Sequence, residues 1–291
     1  KSDCVWAKAG HVVATEQFLL KERKRKSEMS EPSEPLQVIE ERQYIRFRAP
    51  GTEVSFDSKT GMMIALRYDG RNLIHRQQGP SLNWYRSINN DPREWIQPVI
   101  ALRGFDWKMA EDGKSASILS KIEVKVGKVT VPYTVRYQVH SNGVVDVAAD
   151  FTTGSNFDLP RMALQMFLNP SLEQVEWYGR GPMENYRDRK NAAYVGRYQT
   201  TVTDMAEHYA RAQTMGGRTD TRWLSLTDDR GKGLKITATD TVDFSAQHYT
   251  DKDLWQVKYG HDLPDIRRAE VVLNLDCIQR GLGNASCGPG P

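Results

Sequence analysis

Glu184, Asn185, Tyr186, Asp188 and Arg189 fall together at the end of one dense stretch, Trp177–Arg189, which reads WYGRGPMENYRDR. Carboxylates, an amide and a guanidinium beside aromatic rings suit a sugar site. Rings stack on the C–H face of a pyranose and the polar groups bond its hydroxyls. The same groups can equally pair with one another and brace a long loop, which is the commoner fate of buried charge, although loops carry sites more often than cores do. Gly179 and Gly181 flank Arg180, and Pro182 follows. Glycine admits positive φ and proline fixes φ, so the spacing predicts a sharp turn here.

Two further clusters mix charge with aromatic rings. Arg218, Asp220, Arg222 and Trp223 form one. On a strand Asp220 and Arg222, two apart, share a face. They are expected to brace the Trp177–Arg189 loop, with a direct hydroxyl contact as the alternative. Trp84, Arg86, Asn89, Asn90 and Asp91 form the other. The six histidines have no metal-type spacing; His75 and His248 lie on strand-like segments from which they could face a cleft.

Strands must position these residues. Tyr44–Ala49 alternates apolar and polar side chains with period two, and Val54 and Phe56 continue the alternation. Met62–Tyr68 is the return strand, and Asp69-Gly70 is a tight hairpin signal. Further strands are predicted over 118–126, 129–140, 144–151, 161–168, 173–178, 222–227, 233–238, 242–249 and 269–276. The best helix candidate is 203–213. Short, regularly spaced strands with turn chemistry between them predict an all-β antiparallel sandwich. Residues 11–20 read as an isolated strand that needs a partner elsewhere. Residues 21–35, charged and carrying Pro32 and Pro35, read as a linker.

The 291 residues suffice for one large β domain. Net charge is +3 with both signs mixed, not the footprint of a nucleic-acid binder. No apolar run approaches a membrane span. Cys4, Cys277 and Cys287 are an odd count without metal-type spacing and are expected to be free thiols. The first residue is not methionine, so the chain is expected to be an excised piece, and its compartment, cytoplasmic or periplasmic, stays open.

The stretch WYGRGPMENYRDR resembles the GxGPxExYxDR loop in the last domain of the β-galactosidases of glycoside hydrolase family two. Three other segments agree in the same order. Residues 6–14 resemble the WAxAGHxVA strand that closes the family's fourth domain, residues 79–91 its GPxxNxWRAPTDND loop, and residues 218–223 its NRTDxRW strand. The resemblance covers nearly the whole chain. It implies a large two-sheet sandwich of galactose-mutarotase type, the small-chain carboxy-terminal domain. Residues 1–27 would be the tail strand of the preceding immunoglobulin-like domain, 28–37 a linker and 38–291 the sandwich.

The resemblance further implies that the acid and nucleophile of retaining hydrolysis, which stand about 5–5.5 Å apart, sit on an upstream barrel. Magnesium and sodium would be held there too, so no catalytic residue, metal ligand or cofactor is expected in this chain. The family's GDDSWG loop, whose Trp is a sugar platform, matches residues 281–289, with Cys287 where the Trp would stand. The loop looks one residue short, and the chain stops before the family's final strands. Implied substrate contacts are Cys287, Ser286, Asn284, Glu184, Asn185, Tyr186, Arg222 and Trp223. Implied partners are a galactoside or oligosaccharide, the preceding domains of the same chain and further copies in an oligomer, with no nucleic acid or membrane. Two other readings stay open: an independent carbohydrate-binding module, and an aldose 1-epimerase-like enzyme acting through His75 or His248.

Overall fold

A computed structural model describes residues 2–21, 34–89, 91, 98–126, 129–151 and 159–282. Within them nearly all regular structure is β, and every strand pairing is antiparallel. Strands β1 (Gln37–Glu41), β2 (Tyr44–Ala49), β3 (Thr52–Asp57), β4 (Met62–Tyr68) and β5 (Arg71–Asn72) form a five-stranded meander in chain order. The hairpin between β4 and β5 turns on Asp69 and Gly70, both at positive φ, as the sequence signal requires. After β6 (Ser81–Asn83), the strands β7 (Val99–Met109), β8 (Ser115–Val126), β9 (Val129–His140) and β10 (Val145–Phe151) make a second meander.

A third sheet has β6 at one edge and runs β13-β12-β14-β15-β16-β11-β6. Its other members are β11 (Arg161–Leu168), β12 (Gln174–Gly181), β13 (Tyr194–Thr201), β14 (Arg218–Thr227), β15 (Gly233–Gln247) and β16 (Val271–Gln279). Just after β5, Ile74 forms an isolated bridge to Leu168 of the third sheet, and Asn169 donates to the carbonyls of Asn72 and Leu73. The expected two sheets are thus three ladders.

The sandwich follows from period-two burial. In β9, Val131, Tyr133, Val135, Tyr137 and Val139 are buried and the residues between them face outward. They meet Ile45, Phe47, Val54 and Phe56 of the five-stranded sheet, with Phe56 edge-on to Tyr137 at 5.0 Å. A second core lies on the third sheet, around Trp177, Leu224, Leu226, Phe244 and Leu273.

Three expectations change. Over 203–213 only Thr203–Met205 winds, as a 3-10 turn. Further along, the backbone bonds to other loops instead of to itself: Ala212 N–H to the Lys258 carbonyl, Gly260 N–H to the Ala210 carbonyl. The α-helix is Asp251–Gln256, started by a reciprocal capping box between Thr250 and Asp253. The segments 233–238 and 242–249 are one strand, β15. Residues 11–20 form no strand, since no neighbouring strand among the described residues pairs with them; side chains tether the segment to β13, Gln17 bonding both polar groups of Val195 and Thr15 meeting Tyr194. Most of the expected linker lies outside the described residues.

Candidate functional site

The Trp177–Arg189 stretch turns later than its glycines suggest. β12 runs straight through Gly179 and Gly181, and neither has positive φ. They are needed for close approach: a Cβ on Gly179 would lie 2.6 Å from Thr221 Oγ1, and one on Gly181 2.8 Å from the Tyr198 ring. The loop after Pro182 folds back over the start of β14. Asn185 is fully buried; its Oδ1 accepts from Thr219 N (3.0 Å) and Thr219 Oγ1 (2.6 Å), and its own N–H donates to the Gly217 carbonyl. The Tyr186 ring lies beneath Arg189, and its hydroxyl donates to Glu184 Oε2 at 3.2 Å while accepting from Gly217 N.

Glu184 is the hub. One carboxylate oxygen accepts from Tyr209 and Arg189, the other from Gly216 N (2.5 Å) and Tyr186. Burial raises its pKa above the ordinary range even though Tyr209, Gly216 and Arg189 work to lower it. Glu184, Asn185 and Tyr186 therefore spend their polar groups on the loop's own frame.

The charged link between loop and β14 is Asp220. It sits at positive φ in a bulge that breaks the period-two pattern of β14. Its carboxylate accepts from Arg180 Nε (2.5 Å) and Lys190 Nζ (3.0 Å). Burial opposes that charge, but these two hydrogen bonds outweigh it and hold Asp220 below the usual carboxylate range. Arg222, expected to share this work, stacks over Tyr178 of the same stretch and donates to the carbonyl of Asp220. Half-buried Trp223 lies between Arg197 and Lys235, 5.5 and 5.0 Å from its ring.

The third cluster meets the same region. Arg86 and Asp91 are paired with both side chains fully enclosed, and Arg280 Nη2 donates to the same carboxylate at 2.8 Å. Arg86 also donates to the backbone carbonyls of Arg280 (2.5 Å) and Gly281 (3.2 Å). Leu282 packs with Ile88 and Tyr186, and Gly281 lies so close to Asp188 that a Cβ would fall 2.5 Å from its carboxyl carbon. Segments 84–89 and 181–189, with Asp91, thus converge on residues 280–282. Asn90, and the expected contacts Asn284, Ser286 and Cys287, lie outside the described residues.

Sequence reasoning missed the charges beneath this convergence. Arg161, fully buried, donates to Asp276 (2.6 and 3.0 Å) and Asp251 (2.7 Å). Burial opposes its charge, yet the two carboxylates keep its pKa above the ordinary value. Asp251 also accepts from Thr214 Oγ1 (2.6 Å), tying Thr214 and Ser87 to the ion pair. Asp243 lines a crevice with Arg161, Tyr186, Arg218 and Asp276. Its Oδ1 accepts from Asp220 N at 3.0 Å, and burial pushes its pKa up to about 6. His248, the epimerase candidate, is buried with Nδ1 3.2 Å from the Glu270 carbonyl and Nε2 3.0 Å from Glu173. Among the described residues no three His, Cys, Asp or Glu side chains gather as metal ligands.

Comparison with known proteins gives a consistent answer. The family described as "Beta galactosidase small chain" matches residues 48–291. A beta-galactosidase of Priestia megaterium is 25% identical over 97% of this chain and 28% of its own length. One of Halalkalibacterium halodurans is 26% identical over 97% of this chain and 29% of its own length. The chain therefore spans well under a third of these curated relatives. The crystal structure of an Aspergillus nidulans amine oxidase aligns over 97% of this chain at a TM-score of 0.32 and 12% identity, a likeness too faint to imply a shared fold.

Proposed function

Because this chain belongs to the β-galactosidase small-chain family, we propose that it is a non-catalytic wall of a β-galactosidase that releases terminal β-D-galactose by a retaining mechanism. The catalytic carboxyl pair, and the magnesium and sodium sites, would belong to other parts of the whole enzyme. Residues 1–27 would be the tail of a preceding domain, 28–37 the linker and 38–291 the sandwich. The terminal loop, with Asn284, Ser286 and Cys287, would reach the sugar. Trp223 and Arg222 would offer a half-exposed ring and guanidinium to a longer oligosaccharide. Glu184, Asn185 and Tyr186 would act one layer back, holding the loop that supports residues 280–282.

One observation carries this reading. Glu184, the best-placed acid of the family-like loop, has both oxygens occupied by four groups of its own frame. A nucleophile or acid/base must reach the scissile bond, with a second carboxyl about 5–5.5 Å away. Glu184 instead carries a structural load. The epimerase reading through His248 is disfavoured on similar grounds, since both of its nitrogens are engaged.

The test is turnover of o-nitrophenyl-β-galactoside by the purified chain. None above the uncatalysed rate is expected. Hydrolysis that follows the protein through purification and disappears in Glu184→Gln would overturn the proposal.

A further inference from the structure

The outward face of the five-stranded sheet holds a second feature, sharing no residue with the site above. It is a cavity of about 250 Å3 lined by Tyr44 and Arg46 of β2, Ser55 of β3, Ile64, Ala65 and Arg67 of β4, then Asn72 and Gln77. The strand alternation that sends Ile45 and Phe47 into the core turns Tyr44 and Arg46 to this side. Room of this size is below the roughly 300–1,000 Å3 of sites for drug-sized ligands. At the packing density of organic solids it holds about a dozen heavy atoms, one six-membered sugar ring with its hydroxyls.

Each arginine at the rim has a carboxylate partner. Arg46 pairs with Glu41 at 3.0 Å, while Glu53 takes Arg67 and also Arg48 at 2.5 Å. Burial works to raise Glu53, but hydrogen bonds from the two arginines outweigh it and keep the group below its ordinary pKa. A ligand therefore meets planar donors whose charge is largely offset, with one arginine in excess over the two carboxylates, so the neutral character of the ligand rests on the room, the amide donors and the ring. Asn72 spends its Oδ1 on the N–H groups of Leu66 (3.1 Å) and Ile74 (3.2 Å), which leaves its amide nitrogen as the remaining polar group. Ile64 and Ala65 supply an apolar floor, and Tyr44 adds a ring with a hydroxyl at its tip.

The fourth wall is costly to build. His75–Gln78 is a tight turn closed by Gln78 N–H to the His75 carbonyl at 3.0 Å, and both ends are fastened to Phe167. Its central residues, Arg76 and Gln77, stand at φ of 50° and 60°. Turns of this kind take Gly or Asn, because a Cβ is strained there. Here two long side chains are kept in spite of the strain. Arg76 reaches Glu270 at 3.5 Å, and Gln77 lines the cavity. A side chain held against its backbone preference at a cavity wall points to a contact role for that side chain.

We propose that this cavity is a binding site for one neutral pyranose unit, held by hydrogen bonds from Arg46, Arg67, Asn72 and Gln77 and by the ring of Tyr44. The inference does not depend on the galactosidase reading, because it concerns a different face and would stand if the terminal loop never met a sugar.

The experiment titrates the chain with D-galactose, D-glucose and D-mannose, followed by backbone amide shift changes, with D-galacturonate as the anionic comparison. At least one neutral sugar should saturate in the millimolar range and move the amides of β2, β4 and 75–78. Gln77→Gly should weaken that sugar about tenfold while leaving the melting temperature equal or higher, since glycine relaxes the turn. Tyr44→Ala should weaken it similarly. Trp223→Ala, at the other site, should leave these shifts untouched. The proposal fails if no neutral sugar binds, if the shifts map only to β14 and the 181–189 loop, if galacturonate binds and the neutral sugars do not, or if Gln77→Gly binds as the parent does.

Discussion

Asp243 shows how much a single side chain here depends on its neighbours from distant strands. It is placed by β15, bonded to the backbone of Asp220 on β14, and faces Asp276 on β16. Burial, the chief cause, lifts its pKa from 3.8 to about 6. A raised carboxyl favours the folded state most when protonated. That contribution is complete below the unfolded pKa near 4 and is lost as pH rises through about 6. Denaturant unfolding of the chain between pH 4 and 7 should therefore contain a decline that Asp243→Asn removes, worth about 1–3 kcal/mol. A variant with the same pH slope as the parent would show that Asp243 titrates normally. None of this was legible in the sequence, where Asp243 is one acid in an alternating strand. The same holds for Arg161, Asp251 and Asp276, which meet only because β11 and β16 pair and the short helix docks over them. Glu184, Asn185 and Tyr186 were legible as a group, since one short loop carries them all. Bracing was one of the two readings open there; the partners they brace against, Thr219, Gly216 and Tyr209, lie 25 or more residues away and were not legible.

Among the elements, the loop after β12 and the start of β14 act as one unit, and the bulge at Asp220 explains why the pairing differs from the simplest expectation. Period two would put Asp220 and Arg222 side by side on one face. The bulge turns Asp220 toward Arg180 and Lys190 and leaves Arg222 to its own strand and Tyr178. Charged hydrogen bonds of this kind contribute about 1.5–3 kcal/mol, and Asp220 is only about a quarter exposed, at 27%. Asp220→Ala should thus destabilise the chain by about 2–3 kcal/mol, because two cations lose their acceptor. Arg222→Ala should cost about 1 kcal/mol or less, the usual worth of a partly exposed contact. Urea unfolding of both variants separates the two accounts; equal losses would mean that Arg222 shares the brace after all. Strands with strict alternation, such as β2 and β9, were readable residue by residue. β7 and β13 were not: Val99–Met109 and Tyr194–Thr201 are edge strands in which no residue is fully buried.

Across the whole molecule, the amino-terminal segment stands apart from both cores. Trp6, Val12, Val13, Phe18, Leu19 and Leu20 are all exposed, at 65–95%. Apolar side chains left in water contribute nothing through burial here, and six of them within fifteen residues are more than scattered exposure would give. The segment's ties to the sandwich are the amide of Gln17 on Val195 and the Thr15–Tyr194 hydroxyl pair, at the edge strand β13. Neutral hydrogen bonds of this sort are worth about 0.5–1.5 kcal/mol each, and exposed ones sit at the low end. Removing residues 1–21 should therefore leave the unfolding free energy within about 1–2 kcal/mol of the parent, while lowering any tendency of the chain to self-associate. Sedimentation and urea unfolding of the shortened chain measure both quantities. A large loss of stability would place the segment inside the sandwich's own core, and the assignment of residues 1–27 to a neighbouring domain would have to be given up. Preserved stability with reduced association would fit a segment whose apolar side chains pack on a partner outside these 291 residues, in keeping with a chain that spans only about 28% of its Priestia megaterium relative.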